Sequence, residues 1–342
     1  MKAIVYRPDD GTLRSVDRPE PQPGDGEVLV KIALSGVNPT DWKARRNPYA
    51  GTPQGVDLVP NQDGAGTIVA VGSGVTGRAV GERVWLWESA WRRADGTAQQ
   101  LVALPADHAV ALPGFASFEL GASLGIPAIT AHRCLTVAEG GPSQLAAGAL
   151  NGRTVLVAGG AGAVGHAAIE LARWAGANVI TTVSSPEKAT LATAAGAHTV
   201  VNYRDVDPAA AIREAAPDGV HLVVEVAAAP NAALDTAVLA PGGTVAAYAT
   251  TADAPSVSLP VRDLMTRNVR WQFVLVYTMP DDAKRHAVDA ISAAIADGAL
   301  RVGEDAGLPL HRFPLEKTEE AHAAVESGIV GKVLITVAES GG

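Results

Sequence analysis

Residues 154–185 read TVLVAGGAGAVGHAAIELARWAGANVITTVSS. An apolar strand, TVLVAG (154–159), runs into a glycine-rich turn and then into a helix with apolar positions at 164, 168, 171 and 175. A second apolar strand, ANVITTV (177–183), follows directly. Strand, turn, helix and strand in this order predict a βαβ unit of a parallel sheet that is covered by helices.

The turn matches the pattern GxGxxG, which binds the pyrophosphate of dinucleotides. We expect Gly160 to allow the tight turn, Gly162 to let the backbone approach a phosphate, and Gly165 to let the helix pack on the strand. An ordinary tight turn in an alanine- and glycine-rich chain is the alternative, and the flanking strand and helix favour the dinucleotide site. The predicted contacts are Gly160, Ala161, Gly162, Ala163, Val164 and Gly165.

The end of the second strand indicates which dinucleotide is bound, because an NAD site places Asp or Glu there for the ribose hydroxyls. The residues found at this place and after the third strand, TVVNY (199–203), are Ser184, Ser185, Lys188, Tyr203 and Arg204. Hydroxyl groups and a cation suit a 2′-phosphate, which predicts NADPH rather than NADH. Glu187 is the one acidic residue nearby, and its charge would oppose a 2′-phosphate. The alternative is that the serines cap the next helix and bind no phosphate.

The rest of the chain predicts a second domain of another kind. The alternation of strands and helices that begins near residue 154 continues through HLVVEVA (221–227) and GGTVAAYA (242–249), which extends a doubly wound sheet. The first hundred residues instead contain short strands separated by glycine and proline, a pattern typical of an irregular β-barrel. A polar helix over 281–296 and a strand over 332–337 follow, and a chain of 342 residues suits about two domains.

Composition excludes several functional classes. The 36 Asp and Glu exceed the 27 Lys and Arg, giving a net charge of −9, and this argues against a nucleic-acid partner. One cysteine, Cys134, excludes an intrachain disulfide and a multi-cysteine zinc site, and we expect its thiol to be buried and inert. The scattered histidines show no metal-ligand spacing, so we predict no metal. Without a leader or a long apolar run, we expect a cytoplasmic protein and no membrane partner.

With these residues in hand, the sequence resembles the zinc-independent quinone oxidoreductases, the zeta-crystallin group of the medium-chain dehydrogenase/reductase superfamily. The resemblance covers almost the whole chain and rests on GVNPTDWK (36–43), DGAGTIVAVGSGV (63–75), GERVW (81–85), ASLGIPAITAHRCL (122–135), VLVAGGAGAVGHAAIELA (155–172), GAHTVVNYR (196–204) and GKVLI (331–335). It implies an α/β protein with a GroES-like β-barrel domain, residues 1–121 and 274–342, and a doubly wound Rossmann NADPH-binding domain, residues 122–273. It also implies an active site in the cleft between these domains, and a homodimer that pairs through VRWQFVLV (269–276).

The resemblance further implies chemistry without zinc. Where zinc-dependent alcohol dehydrogenases carry a cysteine and a His-Glu pair, this chain has Asn38 and Gln62-Asp63. Hydride delivery to an electron-poor acceptor then depends on positioning and hydrogen bonding. The implied reaction is the NADPH-dependent reduction of quinones or α,β-unsaturated carbonyls (enones). The alternatives are an enoyl-thioester or polyketide-type reductase, with Arg45-Arg46 or Arg92-Arg93 as its basic patch, and a non-enzymatic NADPH-binding protein.

The candidate catalytic residues lie in GVNPTDWK. By position in this motif, Asn38 resembles the residue near the nicotinamide and the substrate oxygen, and Thr40 and Lys43 resemble hydroxyl and proton-relay residues. The alternative makes Asn38 a turn residue, Asp41 a helix cap and Lys43 a solvated side chain. The remaining cofactor contacts implied by the resemblance are Thr130 at the nicotinamide ribose, Ser184, Lys188 and Tyr203 at the 2′-phosphate, Ala227 and Ala229 at the adenine and ribose edge, Phe273, Val274 and Val276 at the carboxamide, and Lys332 near the cofactor.

An aromatic group in the first domain has two interpretations. Trp85 and Trp87 alternate along one predicted strand and suit the barrel core. The loop ESAWRRADG (88–96) borders the substrate cleft in relatives, which makes Trp87 and Trp91 candidates for a substrate pocket.

Overall fold

The computed structural model describes residues 1–250 and 254–337. The chain divides into two compact units, which we call unit 1 (Met1–Ile126 with Leu310–Gly342) and unit 2 (Pro127–Pro309). The sequence of the last residues, AESGG (338–342), predicts a frayed tail, and these residues lie outside the described ones. None of the helices in the described ranges combines the length and the apolar character needed to cross a membrane.

The bounds of the regular elements are as follows. The strands are β1 (Lys2–Val5), β2 (Arg14–Asp17), β3 (Glu27–Val37), β4 (Asp63–Val71), β5 (Arg83–Leu86), β6 (Leu101–Pro105), β7 (Ala109–Ala111), β8 (Thr154–Ala158), β9 (Asn178–Val183), β10 (Thr199–Asn202), β11 (Val220–Glu225), β12 (Leu239–Ala247), β13 (Arg270–Phe273), β14 (Leu310–Pro314) and β15 (Lys332–Thr336). The helices are α1 (Pro39–Arg46), α2 (Phe118–Leu135), α3 (Ala163–Trp174), α4 (Pro186–Ala194), α5 (Pro208–Ala215), α6 (Ala228–Val238), α7 (Val261–Thr266), α8 (Asp281–Ala296) and α9 (Thr318–Glu326).

Unit 1 is the GroES-like β-domain, as predicted. Its main sheet has the order β14-β15-β3-β4-β5-β7, with β6 also paired to β3, and β1 and β2 form a separate pair. The long strand β3 buries Val28, Val30 and Ile32 in an aliphatic core. The C-terminal strand β15 pairs antiparallel with β3, and Val333 lies opposite Val37. This register brings the start of β15 beside the end of β3.

Unit 2 is the predicted doubly wound fold. Its described strands form one parallel sheet in the order β10-β9-β8-β11-β12-β13. Because helices cover such sheets on both faces, the strands are apolar throughout, and Val155, Leu156 and Val157 are all buried. The strand order reverses between β8 and β11, and in doubly wound sheets the carboxyl ends at this point form the ligand crevice.

The division of the chain differs from the expected boundaries. The first boundary falls within α2, at 126/127 rather than 121/122, and the second lies at 309/310 rather than 273/274. Residues 274–309 belong to unit 2 because their side chains bind it: Asp297 accepts a hydrogen bond from Trp174 Nε1 at 2.8 Å, and Arg301 Nε pairs with buried Glu170 at 3.0 Å. The strand expected over 269–276 is shorter, since β13 ends at Phe273 and a 3₁₀ turn covers Val276–Thr278.

Candidate functional site

A buried polar cluster lies in unit 1 where β3 passes into α1. It consists of Asn38, Asp41, Asp63 and Lys332, none of which is more than 4% exposed, and we call it the Asn38 cluster. Asn38 Nδ2 donates to Asp63 Oδ2 at 2.6 Å, and Lys332 Nζ donates to Asn38 Oδ1 at 2.7 Å. Lys332 Nζ also lies 3.5 Å from Asp63 Oδ2. Three side chains from distant parts of the sequence therefore close a hydrogen-bonded triangle.

Local helix chemistry fixes the backbone of Asn38. Asn38 precedes Pro39, a residue suited to the first helical position, and its own backbone is extended. The Asn38 N–H donates to Asp41 Oδ2 at 2.7 Å, and the Gln62 N–H donates to Asp41 Oδ1 at 3.2 Å. Asp41 thus caps the helix, as the alternative interpretation predicted. The Asn38 side chain is bound to Asp63 and Lys332.

Helix α2 holds the other carboxylate oxygen of the triangle. The Ile126 N–H donates to Asp63 Oδ1 at 2.8 Å. A Cβ atom on the preceding residue, Gly125, would lie 2.0 Å from the same oxygen. Only glycine lets the helix backbone come this close to Asp63.

Burial decides the protonation of the cluster. It raises the pKa of Asp41 to about 8, and the nearby Asp63 carboxylate adds to the shift. Burial also raises the pKa of Asp63 and lowers that of Lys332, while attraction between these two groups opposes both shifts. Asp63 accepts hydrogen bonds from Asn38, Lys332 and Ile126, which favours its ionised form. Burial thus raises the pKa of both carboxyl groups of the cluster, Asp41 and Asp63.

Of the predicted catalytic residues, the structure places only Asn38 in this cluster. Thr40 Oγ1 lies 3.0 Å from the hydroxyl of Tyr49, a residue that no sequence motif indicated. The Tyr49 ring meets Trp91 edge-on, with 5.2 Å between ring centroids. Lys43 is exposed, and its Nζ lies 5.6 Å from the centroid of Trp42.

The tryptophans divide between core and loop. Trp85 is fully buried, and Trp87 is 6% exposed and stacks on His108, so both belong to the core of unit 1. Trp91 lies in the loop over 88–96 against Tyr49. Gln62 holds this loop, because its Oε1 accepts the Ala90 N–H at 3.1 Å.

In unit 2, the glycines of the glycine-rich turn differ in how closely their surroundings approach them. Gly159 has a φ of 71°, so the left-handed residue lies one position before Gly160, which was expected to make the turn. A Cβ on Gly160 would lie 2.2 Å from Thr181 Oγ1, and a Cβ on Gly165 would lie 2.3 Å from the Gly159 carbonyl oxygen. At Gly162 the nearest atom would be 3.5 Å away, so the turn is open there.

This open turn leads into the N-terminus of α3. The first helical hydrogen bond runs from the His166 N–H to the Gly162 carbonyl oxygen at 2.7 Å. The N–H groups of Ala163, Val164 and Gly165 precede that bond and have no acceptor within the helix. Space at Gly162 and these N–H groups form a cradle of the kind that holds a pyrophosphate, so the residues fit a dinucleotide.

The structure brings together the residues predicted for the 2′-phosphate. Lys188 Nζ donates to Ser184 Oγ at 2.9 Å, and the Tyr203 N–H donates to the Val183 carbonyl oxygen at 3.1 Å. Glu187, the dissenting acid, is exposed, and a hydrogen bond from Ser185 lowers the pKa of its carboxyl group. The Ser185 side chain caps α4 by accepting the Lys188 N–H. The Lys188 ammonium, the Ser184 hydroxyl and the backbone of Tyr203 therefore lie at the carboxyl ends of β9 and β10.

The other predicted cofactor contacts differ in their exposure and in the partners that they already have. The N–H of Ala227 donates to the carboxylate of Glu225, and that of Val274 donates to the Ala247 carbonyl oxygen at 2.8 Å. The remaining positions are Thr130, buried on α2; Ala229, in the first turn of α6; Phe273, 62% exposed at the end of β13; Val276, buried at the start of the 3₁₀ turn; and Lys332, bound in the Asn38 cluster.

A pair of buried acids in unit 2, Glu225 and Asp235, was not predicted from the sequence. Glu225 ends β11 and accepts hydrogen bonds from Asn231 Nδ2 at 3.0 and 3.1 Å. Asp235 lies on the following helix, and burial together with the Glu225 carboxylate raises its pKa to about 9. The sequence feature that could have indicated this pair is an acidic residue, Glu225, at the end of an apolar strand. Cys134 is buried, which raises the pKa of its thiol, as expected of an inert cysteine.

Comparisons with known proteins agree with both units. Residues 24–114 match the alcohol dehydrogenase GroES-like domain, and residues 163–293 match the zinc-binding dehydrogenase family. The quinone oxidoreductase of Lama guanicoe is 32% identical over 92% of this chain and 90% of its own length. The human quinone oxidoreductase is 31% identical over 94% of this chain and 92% of its own length.

A solved structure matches at similar identity. A mycobacterial protein whose structure was solved in complex with NADPH is 31% identical, has a TM-score of 0.78, and covers 98% of this chain and 100% of its own.

Proposed function

Because this chain belongs to the quinone oxidoreductase subgroup of the medium-chain dehydrogenase/reductase superfamily, we propose that it reduces quinones or α,β-unsaturated carbonyls with NADPH and without a metal. The chain is an oxidoreductase that binds a nicotinamide cofactor and acts on a small-molecule substrate. The observation that carries the proposal is the buried Asn38 amide, which Asp63 and Lys332 hold at the start of α1.

NADPH is the preferred cofactor in this proposal because of the charge at the end of β9. The N–H groups of Ala163 to Gly165 would bind the pyrophosphate, and Lys188 with Ser184 and Tyr203 would bind the 2′-phosphate. A charge-assisted hydrogen bond from Lys188 would favour the phosphorylated ribose over the free hydroxyl. When bound, the reduced nicotinamide supplies a hydride.

Asn38 acts as a hydrogen-bond donor in the reaction. An amide nitrogen carries two hydrogens, and one of those on Asn38 Nδ2 goes to Asp63. The second donates to the carbonyl oxygen of the acceptor, where negative charge develops during reduction. A fixed donor aimed at developing charge lowers the barrier, because it needs no reorganisation during the step.

Metal independence is supported by the donor groups themselves. The Asn38 amide is bound to Asp63 and Lys332, and the Gln62 Oε1 to the Ala90 N–H, so both side chains have structural partners. Within residues 1–250 and 254–337, no group of three or more His, Cys, Asp or Glu side chains is placed to hold a metal ion.

The alternative thioester substrate needs free basic side chains, and the arginines named for it are mostly engaged. Arg45 donates to the Gly11 carbonyl oxygen at 3.0 Å and lies 3.2 Å from His322 Nδ1. Arg46 pairs with Glu326 at 2.5 Å, and Arg93 pairs with Glu27 at 3.2 Å. These contacts favour a quinone or enone over a phosphopantetheine or coenzyme A thioester.

A homodimer that pairs through β13 is part of the proposal. This strand is at the edge of the described sheet of unit 2, and unpaired edges of this kind readily accept another strand. Apolar side chains at its end and just after it are exposed: Phe273 by 62% and Leu275 by 45%. A second copy of the chain would cover them.

The proposal is tested by following NADPH and NADH oxidation with a panel of quinones, enones and enoyl-CoA thioesters, before and after treatment with a chelator. We expect turnover with quinones or enones, preference for NADPH, and no loss of rate after chelation. Faster turnover of enoyl-CoA would favour the thioester reductase. Tight NADPH binding with no oxidation by any acceptor would leave the non-enzymatic role.

A further inference from the structure

The triangle in the Asn38 cluster gives the Asn38 amide a single orientation. Its oxygen faces the Lys332 ammonium at 2.7 Å, and its nitrogen faces the Asp63 carboxylate at 2.6 Å. Turning the amide over would place N–H against an ammonium group and oxygen against a carboxylate. Both contacts would be repulsive in a site where every member is nearly fully buried.

We propose that Lys332 and Asp63 are positioning residues that fix the Asn38 amide so that its second N–H donates to the acceptor. The inference rests on the proposed function, because it assigns these residues a task in the same reaction. Lys332 then acts through Asn38, and not by direct contact with the cofactor. The Lys332 side chain is 1% exposed, and its Nζ donates hydrogen bonds to Asn38 and Asp63, the other two members of the triangle.

The surroundings of Lys332 argue against a purely structural role. Lys332 begins β15, and the next residues, Val333, Leu334 and Ile335, are all buried aliphatic side chains. Removing an ammonium ion from water carries a desolvation penalty that apolar residues avoid, so an apolar side chain would serve the sheet as well or better. An ammonium at this position is explained by the polar group that it binds, the Asn38 oxygen.

The bond also affects the strength of the donor. An ammonium at the amide oxygen draws electron density from the amide nitrogen, which makes the remaining N–H a better donor. Asp63 holds the other N–H and keeps the nitrogen in place. Asp63 is itself fixed by the Ile126 N–H at 2.8 Å, so the orientation is set by the backbone of α2.

The orientation itself is tested without any activity. In protein labelled with ¹⁵N-asparagine, the Asn38 side-chain signals are identified by their absence from the spectrum of Asn38→Ala. We expect one proton of the pair far downfield because of its short bond to Asp63, and we expect Lys332→Met and Asp63→Asn to move both protons toward the positions of free amides. Unchanged Asn38 signals in both variants would overturn the proposal.

Kinetics then test whether the orientation matters. We expect Asn38→Ala to lower kcat about 100-fold, and Lys332→Met to lower it about 10-fold or more, with the KM for NADPH nearly unchanged. If Lys332 acts through Asn38, adding Lys332→Met to Asn38→Ala changes kcat by less than about twofold. An equal loss in both backgrounds would show that Lys332 acts independently and would overturn the proposal.

Glu170→Gln is the matched control. Glu170 is also a buried carboxylate paired with a cation, Arg301, but it lies in unit 2 on α3. We expect its neutralisation to leave kcat unchanged in both backgrounds. If Lys332→Met does not fold, Asp63→Asn takes its place in the cycle with the same expected result. Wild-type protein that turns over no acceptor would contradict the proposed function, while the asparagine signals would still decide whether the amide is fixed.

Discussion

The carboxylate of Asp63 occupies the space that a side chain on Gly125 would need. An ideal Cβ on Gly125 would lie 2.0 Å from Asp63 Oδ1 and 2.5 Å from its Cγ. The next residue, Ile126, donates its N–H to that same oxygen. Helix α2 and the Asn38 cluster are therefore fitted together, and a change as small as one methyl group on the helix displaces the carboxylate that holds Asn38.

We expect Gly125→Ala to destabilise unit 1 by about 1–3 kcal/mol, because overpacking of a buried site forces its neighbours to move. Chemical denaturation followed by circular dichroism measures the change. Gly114→Ala is the control, since a Cβ there would meet no atom within 4 Å. Equal stability of the two variants would show that the carboxylate moves aside without cost.

In the glycine-rich turn, we expect one glycine substitution to lower stability and another to lower cofactor affinity. Gly165→Ala places its Cβ 2.3 Å from the Gly159 carbonyl oxygen, so we expect the free energy of unfolding to fall by about 1–3 kcal/mol. Gly162→Ala meets nothing closer than 3.5 Å, so we expect it to fold normally and bind NADPH about 10-fold more weakly. Thermal unfolding and fluorescence titration measure the two effects. A Gly162→Ala protein with wild-type affinity would place the phosphates elsewhere.

The Lys188–Ser184 pair predicts the cofactor preference. We expect Lys188→Ala to raise the Kd for NADPH about 10- to 100-fold, because a hydrogen bond to a charged group contributes about 1.5–3 kcal/mol. The Kd for NADH should change little, since NADH carries no 2′-phosphate. Lys317→Ala removes an exposed lysine of unit 1 and serves as the control in the same titrations. Equal weakening of NADH and NADPH binding would contradict the assignment.

His322 makes stability depend on pH in a defined window. Its Nε2 lies 2.8 Å from Asn61 Oδ1 and its Nδ1 lies 3.2 Å from Arg45 Nη1, and burial lowers its pKa from 6.5 to about 3. The unfolded chain takes up a proton below pH 6.5 that the folded chain refuses, so stability is lost as pH falls from 6.5 toward 3.

His322→Gln removes this proton uptake. We expect the difference in unfolding free energy between wild type and variant to shrink as pH falls below 6.5, by at most about 1.4 kcal/mol per pH unit. Denaturation series from pH 7.5 to 4.5 measure it. Other titrating groups cancel in the difference, and parallel curves would contradict the prediction.

The exposed edge of unit 2 predicts the oligomeric state. We expect Phe273→Asp to convert a dimer to monomers, because it places a charge beside β13 where a second copy would pack. Analytical ultracentrifugation measures the mass. Phe115→Asp is the control, since Phe115 is 73% exposed on unit 1. A wild-type monomer, or dissociation by both variants, would argue against pairing through β13.

Local patterns were sufficient to predict most of the fold. The apolar runs beginning near Thr154 gave strands within a residue or two of β8, β9 and β10, because strands buried on both faces carry no polar positions. The helix over 281–296 was predicted with its observed bounds. Its membership in unit 2 was not, since an amphipathic helix shows that it packs but not on which partner.

The candidate sites also differ in how far local sequence predicts them. The glycine turn and the serine–lysine group are contiguous in sequence, so their geometry follows from a single βαβ unit. Asn38 and Lys332 are 294 positions apart, and their contact depends on the pairing of β15 with β3. Asp63 was noticed only as a departure from zinc enzymes, because nothing local shows that a carboxylate after Gln62 binds an amide from another segment.

The position of β15 in the chain determines when the sheet of unit 1 and the Asn38 cluster can be completed during synthesis. It lies between β14 and β3 in the sheet, yet it is synthesised after every other described strand. At about 5–20 residues per second, a ribosome needs on the order of 15–60 s to cover the 294 positions from Asn38 to Lys332. Throughout that interval β3 lacks one neighbour, while all the strands of unit 2 are translated. A nascent chain therefore holds the full nucleotide-binding sequence before it holds the lysine that orients Asn38.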